Sequence, residues 1–309
     1  MKLTVLMYHY VFADSEKKYK NFFHLKTNSF QSQLKYIVNN YSVITPDEIE
    51  LFANGELKTA KPPIVLTFDD GLKCHFTEVF PLLRKMKVPG YFFINTLPYL
   101  ENSIPIIHKT HLLRAKMGDN EFATTCLEFT EELLGKIILD EVAPLHLAAK
   151  TYRWDTPHIK QVKYLLNMVL PDNDREQIIE ELFKKIFVES EKNIIDEFFI
   201  NYVEMREMQN NGMVLGGHSH FHKPLSRLDS RALQLDLKTC IRFLNSTLDS
   251  PVQTFSYPYG KQDTFNQEVV KRLKELGIKM SFSSEVGENS SPVDLFHIKR
   301  IDPKDFNYE

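Results

Sequence analysis

Ile64-Val65-Leu66-Thr67-Phe68-Asp69-Asp70-Gly71 is an apolar, β-branched run that ends in two acids and a glycine. Such a run, closed by a turn signal, reads as a buried strand. Its carboxyl end would deliver two carboxylates to a sheet edge or barrel mouth, where α/β proteins place their sites. Asp-Asp-Gly alone is an ordinary turn. It gains weight from His218-Ser219-His220-Phe221-His222, which follows Gly216-Gly217 and sets two imidazoles four residues apart. One turn of helix would put both on one face. Asp70, His218 and His222 would then give one oxygen and two nitrogens to a single divalent ion and leave positions open, the arrangement of a catalytic rather than a structural site. Zinc suits that donor set, with cobalt, nickel and iron compatible. Asp69, next to the ligand, is left to accept a proton from water.

Around this pair of motifs the first hundred residues alternate strand-like and helix-like pieces: Leu3 to Tyr8, a helix over Ser29 to Asn39, Ile64 to Phe68, a helix over Thr77 to Lys85, and Gly90 to Ile94. This rhythm implies parallel strands with right-handed crossovers. Thr45-Pro46 reads as a cap and first helical position. From 103 to 200 glycine is nearly absent and apolar residues recur at three and four; Ile178, Ile179, Leu182, Ile186 and Phe187 form a stripe after Asp174 as cap. This stretch is expected to be a helical insertion or lid, with Trp154, beside Tyr152 and Arg153, as a hydrophobic anchor and stacking on a sugar as the alternative. Beyond it come a helix to Asn211, a strand to Gly217, a helix over Leu233 to Leu248, a strand over Thr254 to Tyr257, a helix to Gly277 as C′ residue, and strands near Lys279 to Phe282 and His297 to Ile301.

Composition narrows the function class. The 38 basic and 41 acidic residues give a net charge of -3, so no electrostatic footprint for nucleic acid is present. Cys74, Cys126 and Cys240 are odd in number and lack Cys-x-x-Cys spacing, which argues for buried thiols. The start, Met1 to His9, passes into a strand without a signal-like apolar region, and no run is long enough for a transmembrane segment; a cytoplasmic protein of unknown oligomeric state is expected.

Thr67-Phe68-Asp69-Asp70-Gly71 and His218-Ser219-x-x-His222 resemble the first two motifs of the polysaccharide deacetylases, the NodB-homology group of carbohydrate esterase family 4. Phe255-Ser256-Tyr257-Pro258-Tyr259-Gly260 resembles the third motif, Arg-x-Pro-Tyr, with Ser256 in place of the Arg. Leu6-Met7-Tyr8-His9, Phe23-His24-Leu25 and Lys299-Arg300-Ile301 are similar to stretches of one branch of that family. The resemblance implies an α/β fold, a distorted (β/α)7-type barrel built from residues 1–102 and 201–309 with 103–200 inserted. It implies Asp69 as base, a backbone N–H at Tyr259 as oxyanion donor, and Tyr257 and Pro258 on the substrate side. The usual late Leu-x-x-His, source of the general acid, is absent after residue 260; in the similar branch the acid histidine lies on the first strand, which points to His9, with His297 as the alternative. Arg300 could replace the missing arginine in orienting Asp69.

The activity so implied is metal-dependent hydrolysis of a linear amide other than a peptide bond. The enzyme would remove an acyl group, acetyl above all, from an N-acylated sugar in cell-surface polysaccharide biosynthesis or modification. A sugar nucleotide or lipid-linked saccharide is the expected substrate form. A sugar deformylase, a cyclic-amide hydrolase, and a catalytically weak carbohydrate-binding protein that keeps its metal site are the alternatives.

Overall fold

The computed structural model describes residues 1–13, 15, 22–151 and 155–308; Tyr152, Arg153 and Trp154 lie outside the described residues. Two compact units divide the chain: residues 1–15, 24–103 and 192–309 form the first, and 16–23 with 104–191 the second.

In the first unit seven parallel strands follow one another round a barrel. They are β1 (Lys2–Tyr8), β2 (Pro63–Phe68), β3 (Tyr91–Ile94), β4 (Val214–Gly217), β5 (Thr254–Ser256), β6 (Met280–Val286) and β7 (Ile298–Arg300). Each pairs in parallel with the next. Closure is made by a parallel bridge between Leu6 and Ile301, with Met7 N–H donating to the Ile301 carbonyl at 3.0 Å and Ile301 N–H to that of Val5 at 2.8 Å. Helices α1 (Thr27–Asn40), α2 (Pro46–Ala53), α3 (Phe80–Met86), α4 (Tyr202–Asn210), α5 (Ser230–Thr247) and α6 (Gln267–Glu275) separate the strands. Thr45 caps α2 as its sequence suggests, its N–H held by Glu48 at 2.8 Å.

Strand alternation sorts side chains into two cores. Leu3, Val5, Val65, Tyr91, Phe93, Met280, Phe282 and Ile298 pack together inside the barrel. Their neighbours Leu6, Leu66, Phe68, Phe92, Ile94, Leu215 and Phe255 turn outward to Phe30 and Leu34 of α1 and to Leu237 and Ile241 of α5. The inner set runs on odd numbers in β1 to β3 and even numbers in β4 to β7. Continued to the carboxyl ends, this parity carries Asp69, His218, Ser256 and Arg300 to the inner face.

The second unit consists of helices, including Ile106–Met117, Asp119–Leu134 and Asp172–Ile186. Asp174 does not cap the last of these. The helix begins two residues earlier, with Pro171 as N-cap, and Asp174 sits in the first turn, where a carboxylate still favours the helix dipole. Lys109 is fully buried between Glu180 and Glu191, at 2.6 and 2.7 Å. Residues 192–200, which the sequence pattern puts with the insertion, belong to the first unit: Ile200 joins the outer core and donates its N–H to the Gly71 carbonyl at 3.0 Å, and Phe199 bridges Leu72. No described helix is long and apolar enough to cross a membrane. Cys74, Cys126 and Cys240 are buried free thiols, and burial pushes that of Cys74 up to about 12.

Gly216, on the inner face of β4, is required by space rather than by backbone angle. A Cβ there would lie 2.7 Å from both Phe93 Cδ1 and the Thr254 carbonyl oxygen. Gly216→Ala is therefore expected to lower stability by about 1–3 kcal/mol, the usual cost of overpacking. Urea unfolding measures it, and an unchanged midpoint would show that the strands part without penalty.

Candidate active site

Asp69 is delivered by the β1–β2 ladder, which runs one residue past the strand: its N–H donates to the Tyr8 carbonyl at 3.1 Å. Asp70 and Gly71 then turn sharply, both left-handed, at φ 82° and 68°. This places both carboxyls at the barrel mouth, Asp69 at 2% and Asp70 at 5% exposure.

Residues 218–222 do not form the helical turn that the four-residue spacing suggests. They are a loop in which Ser219 and His222 adopt left-handed angles, φ 60° and 55°. Distant side chains hold it in place. Asn95, at the end of β3, donates from Nδ2 to the carbonyls of Ser219 and His220 at 3.1 and 3.0 Å. Asp236 of α5 accepts the N–H of His220 at 3.1 Å and of Phe221 at 2.8 Å. Ser219 Oγ accepts the His222 N–H at 2.9 Å. His220 itself turns away, between Thr96 Oγ1 and Glu101 Oε1, each 3.0 Å distant.

The loop brings His218 Nε2 and His222 Nε2 each to 3.3 Å from Asp70 Oδ1, and one donor atom from each of the three residues lies within 4.8 Å of the others. Two ligands bonded to one ion at about 2.0–2.1 Å with tetrahedral angles lie roughly 3.3–3.4 Å apart, so the observed spacing fits a metal. The tautomer fits as well. His218 Nδ1 is 2.8 Å from the Ser256 carbonyl, which can only accept, so Nδ1 carries the proton and Nε2 presents a lone pair to Asp70. A cation or a second proton must separate two such lone pairs. Burial lowers the His218 pKa, but Asp70, by hydrogen bond and charge, and the charge of Asp69 raise it on balance; proton and metal compete for one place.

Asp69 has a different surrounding. Arg300 Nη1 and Nη2 donate to its two oxygens at 2.9 and 2.8 Å. Burial alone would raise its pKa, yet the charges of Arg300 and His218, the Arg300 hydrogen bonds and the charge of His9 outweigh burial and hold it below the ordinary carboxylate value. Arg300, 1% exposed, also reaches the Ser283 carbonyl at 2.7 Å, Thr67 Oγ1 at 3.1 Å and Ser256 Oγ at 3.0 Å. Ser256, where the family motif has Arg, thus accepts from the guanidinium that arrives on β7. His9 Nε2 lies 3.9 Å from Asp69 Oδ2, with 43% of its side chain exposed.

The remaining sequence candidates separate. His297 falls on the outward parity of β7, its Nε2 2.9 Å from Glu285 and its ring against Phe265. Tyr257 and Pro258, which the motif put on the substrate side, are buried. Tyr257 stacks on Phe265 at 4.0 Å and donates to the Phe296 carbonyl at 3.0 Å in the outer core; Pro258 accepts the Gly260 N–H at 2.7 Å. These contacts build the turn that leaves Tyr259 at φ 62°, 40% exposed, its ring 5.4 Å from that of His222. Ser284 steadies it, its Oγ on the Tyr259 carbonyl and its N–H on that of Gly260 at 2.8 Å. Asn95, Asp236 and Ser284 carry no sequence signal of their own; only the inward parity of Asn95 could have drawn notice.

Residues 56–122 and 185–281, more than half of the chain, match the family model described as polysaccharide deacetylase. The chain belongs to the polysaccharide deacetylase family. It is 27% identical over 119 residues to YxkH of Bacillus subtilis (strain 168), named for the same family; that match spans 38% of this chain and 38% of the relative. Among solved structures it is similar to the Streptococcus pyogenes deacetylase PplD in complex with acetate, with TM-score 0.60, 16% identity, and 98% of this chain and 92% of that one covered. IcaB from Ammonifex degensii gives 0.54, 17%, 98% and 93%, and the BpsB deacetylase domain from Bordetella bronchiseptica 0.54, 17%, 97% and 94%. At these identities the likeness is one of fold, the (β/α)7 barrel.

Asp236→Ala removes the shared acceptor of two buried N–H groups in the histidine loop and is expected to cost about 2–4 kcal/mol. Asp236→Asn, which keeps a carbonyl acceptor, should cost roughly half. Equal stability of all three proteins in urea would show that the loop is held by something else.

Proposed function

We propose that this protein is a metal-dependent amidohydrolase that removes an acyl group, acetyl above all, from the nitrogen of an N-acylated sugar in polysaccharide synthesis or modification. The observation that carries this reading is the placement of one buried carboxylate, clamped in two places by Arg300, next to a second carboxylate that converges with two imidazoles. The family supports an acetylated sugar as substrate. The Arg300 clamp supports catalysis over a merely sugar-binding role, because it supplies the guanidinium that Ser256 cannot.

Asp70, His218 and His222 would hold one divalent ion, with zinc best suited to the two nitrogens and one oxygen. When bound, it lowers the pKa of water and draws electron density from an acyl oxygen. Asp69, kept ionised by Arg300, accepts the proton that water loses as its oxygen attacks the acyl carbon. The Tyr259 N–H, in a turn with left-handed backbone at φ 62°, donates to the developing oxyanion. His9, 3.9 Å from Asp69 and open to solvent, hands a proton to the sugar nitrogen as the C–N bond breaks. The carboxylic acid and the amine leave, the acid passing its proton to the amine or to solvent, and the proton taken by Asp69 balances the one given by His9.

Deacetylation of a panel of N-acetylated saccharides, nucleotide sugars and lipid-linked sugars, with zinc, cobalt or nickel, tests the reading; formamido sugars and cyclic amides serve as its competitors. Asp69→Asn should keep stoichiometric metal and lose about two to four orders of magnitude in turnover. Asp70→Asn should lose metal. Arg300→Lys, which cannot make the paired contact, should lower turnover with metal content intact. Protein that takes up no metal on reconstitution, or an Asp69→Asn variant of full activity, would overturn the proposal.

A further inference from the structure

His9 is reached by a contact that neither the motifs nor the mechanism above uses. Three successive carbonyls at the end of β1 are each taken. That of Tyr8 accepts the Asp69 N–H at 3.1 Å, that of Tyr10 accepts the Leu25 N–H at 3.0 Å, and that of His9 lies 2.7 Å from His75 Nε2. The outer two are backbone ladders that any sequence could supply. The middle one depends on a side chain.

The chemistry of that contact is fixed. A carbonyl oxygen only accepts, so His75 Nε2 carries the proton. Nδ1 is buried without a hydrogen-bond partner among the described residues, the state of a neutral ring whose only proton is on Nε2. His75 is fully buried, edge-on to the ring of Phe68 at 5.6 Å and tilted against that of Phe92 at 5.8 Å, and burial pushes its pKa down to about 4 in spite of the His9 carbonyl contact and the charge of Asp70. It is a permanent neutral donor, not a proton carrier. An apolar side chain would fill this space at no desolvation cost, so an imidazole with one nitrogen unsatisfied is retained for what its other nitrogen does.

We infer that His75 is a positioning residue, which fixes the backbone at His9 and so sets the reach of the His9 imidazole to the leaving nitrogen beside Asp69. This inference rests on His9 as the proton donor of the proposed reaction. A side chain that is 43% exposed is only partly held by packing, and an anchored backbone limits its wandering. Misplacement by a fraction of an ångström is enough to cost an order of magnitude in a proton transfer.

The test compares an N-acetylated chito-oligosaccharide, whose amine needs a proton to leave, with p-nitrophenyl acetate, whose leaving group does not. His75→Met, which fills the space without a donor, should lower kcat on the amide by about 10- to 100-fold and on the ester by less than about threefold, with metal content unchanged. His75→Gln, whose amide N–H can reach the carbonyl, should restore most of the amide rate. If His75→Met does not fold, His75→Asn, too short to reach, takes its place beside His75→Gln. A proportional loss on both substrates, or no loss, overturns the inference. His9→Ala separates the two levels: if it leaves the amide-to-ester ratio unchanged, the reading of His9 itself fails, whereas collapse of that ratio in His9→Ala but not in His75→Met refutes only the role of His75.

Discussion

The buried pair of Arg300 and Asp69 is the contact on which the site depends. Taking both charges out of water is costly, and attraction alone repays it only if the remaining hydrogen-bonding groups are also satisfied. Here the count closes. The five N–H groups of a guanidinium meet five acceptors: both Asp69 oxygens, Thr67 Oγ1, Ser256 Oγ and the Ser283 carbonyl. Those acceptors sit on or just beyond β2, β5 and β6, while the arginine comes from β7. The pair can exist only in a closed barrel with its strands in register, so the chemistry of the site and the integrity of the fold are one condition.

Register matters because alternation has a period of two. A slip of one residue in any strand would send its inner set outward, and at β2 that means losing Asp69 and Thr67 together. Past the strand ends, backbone angles take over. Of the six described non-glycine residues with positive φ, Asp70, Ser219, His222 and Tyr259 are all at the site. Such conformations cost about 1–3 kcal/mol each, and each is held by contacts from other elements: Ile200 on the Gly71 carbonyl, Asn95 and Asp236 on the histidine loop, Ser284 on the Tyr259 turn. The barrel supplies the rigidity that these loops spend.

That division explains what could be read from the residues alone. The strands, their order and the acid and histidine motifs are legible, because apolar runs and turn signals are local. The shape of residues 218–222 is not. Four-residue spacing suits a helix, and the left-handed Ser219 and His222 follow from Asn95 and Asp236, which lie far off in sequence and carry no marker. Tyr257 shows the opposite failure: it stands in a functional motif, yet the parity of β5 turns it into the outer core beside Phe265. The same parity on β7 decides between two candidates, sending Arg300 in and His297 out. Register, more than residue type, separates function from scaffold here.

The two proton-handling groups of the proposed reaction are placed in opposite surroundings, and the contrast is physically apt. Asp69 is almost wholly buried, its charge guaranteed by Arg300, so it meets only a water already inside the pocket. A base so placed needs no further solvent contact, since its ionised state is set by a fixed partner. His9, with nearly half of its side chain exposed, stands where a sugar nitrogen would arrive from outside and where solvent can return the proton it gives. His75, five residues beyond Asp70, is the opposite case: burial pushes its pKa down to about 4. One imidazole open to solvent beside Asp69 and another kept dry to hold the first in place are two uses of the same side chain, set apart by solvent access.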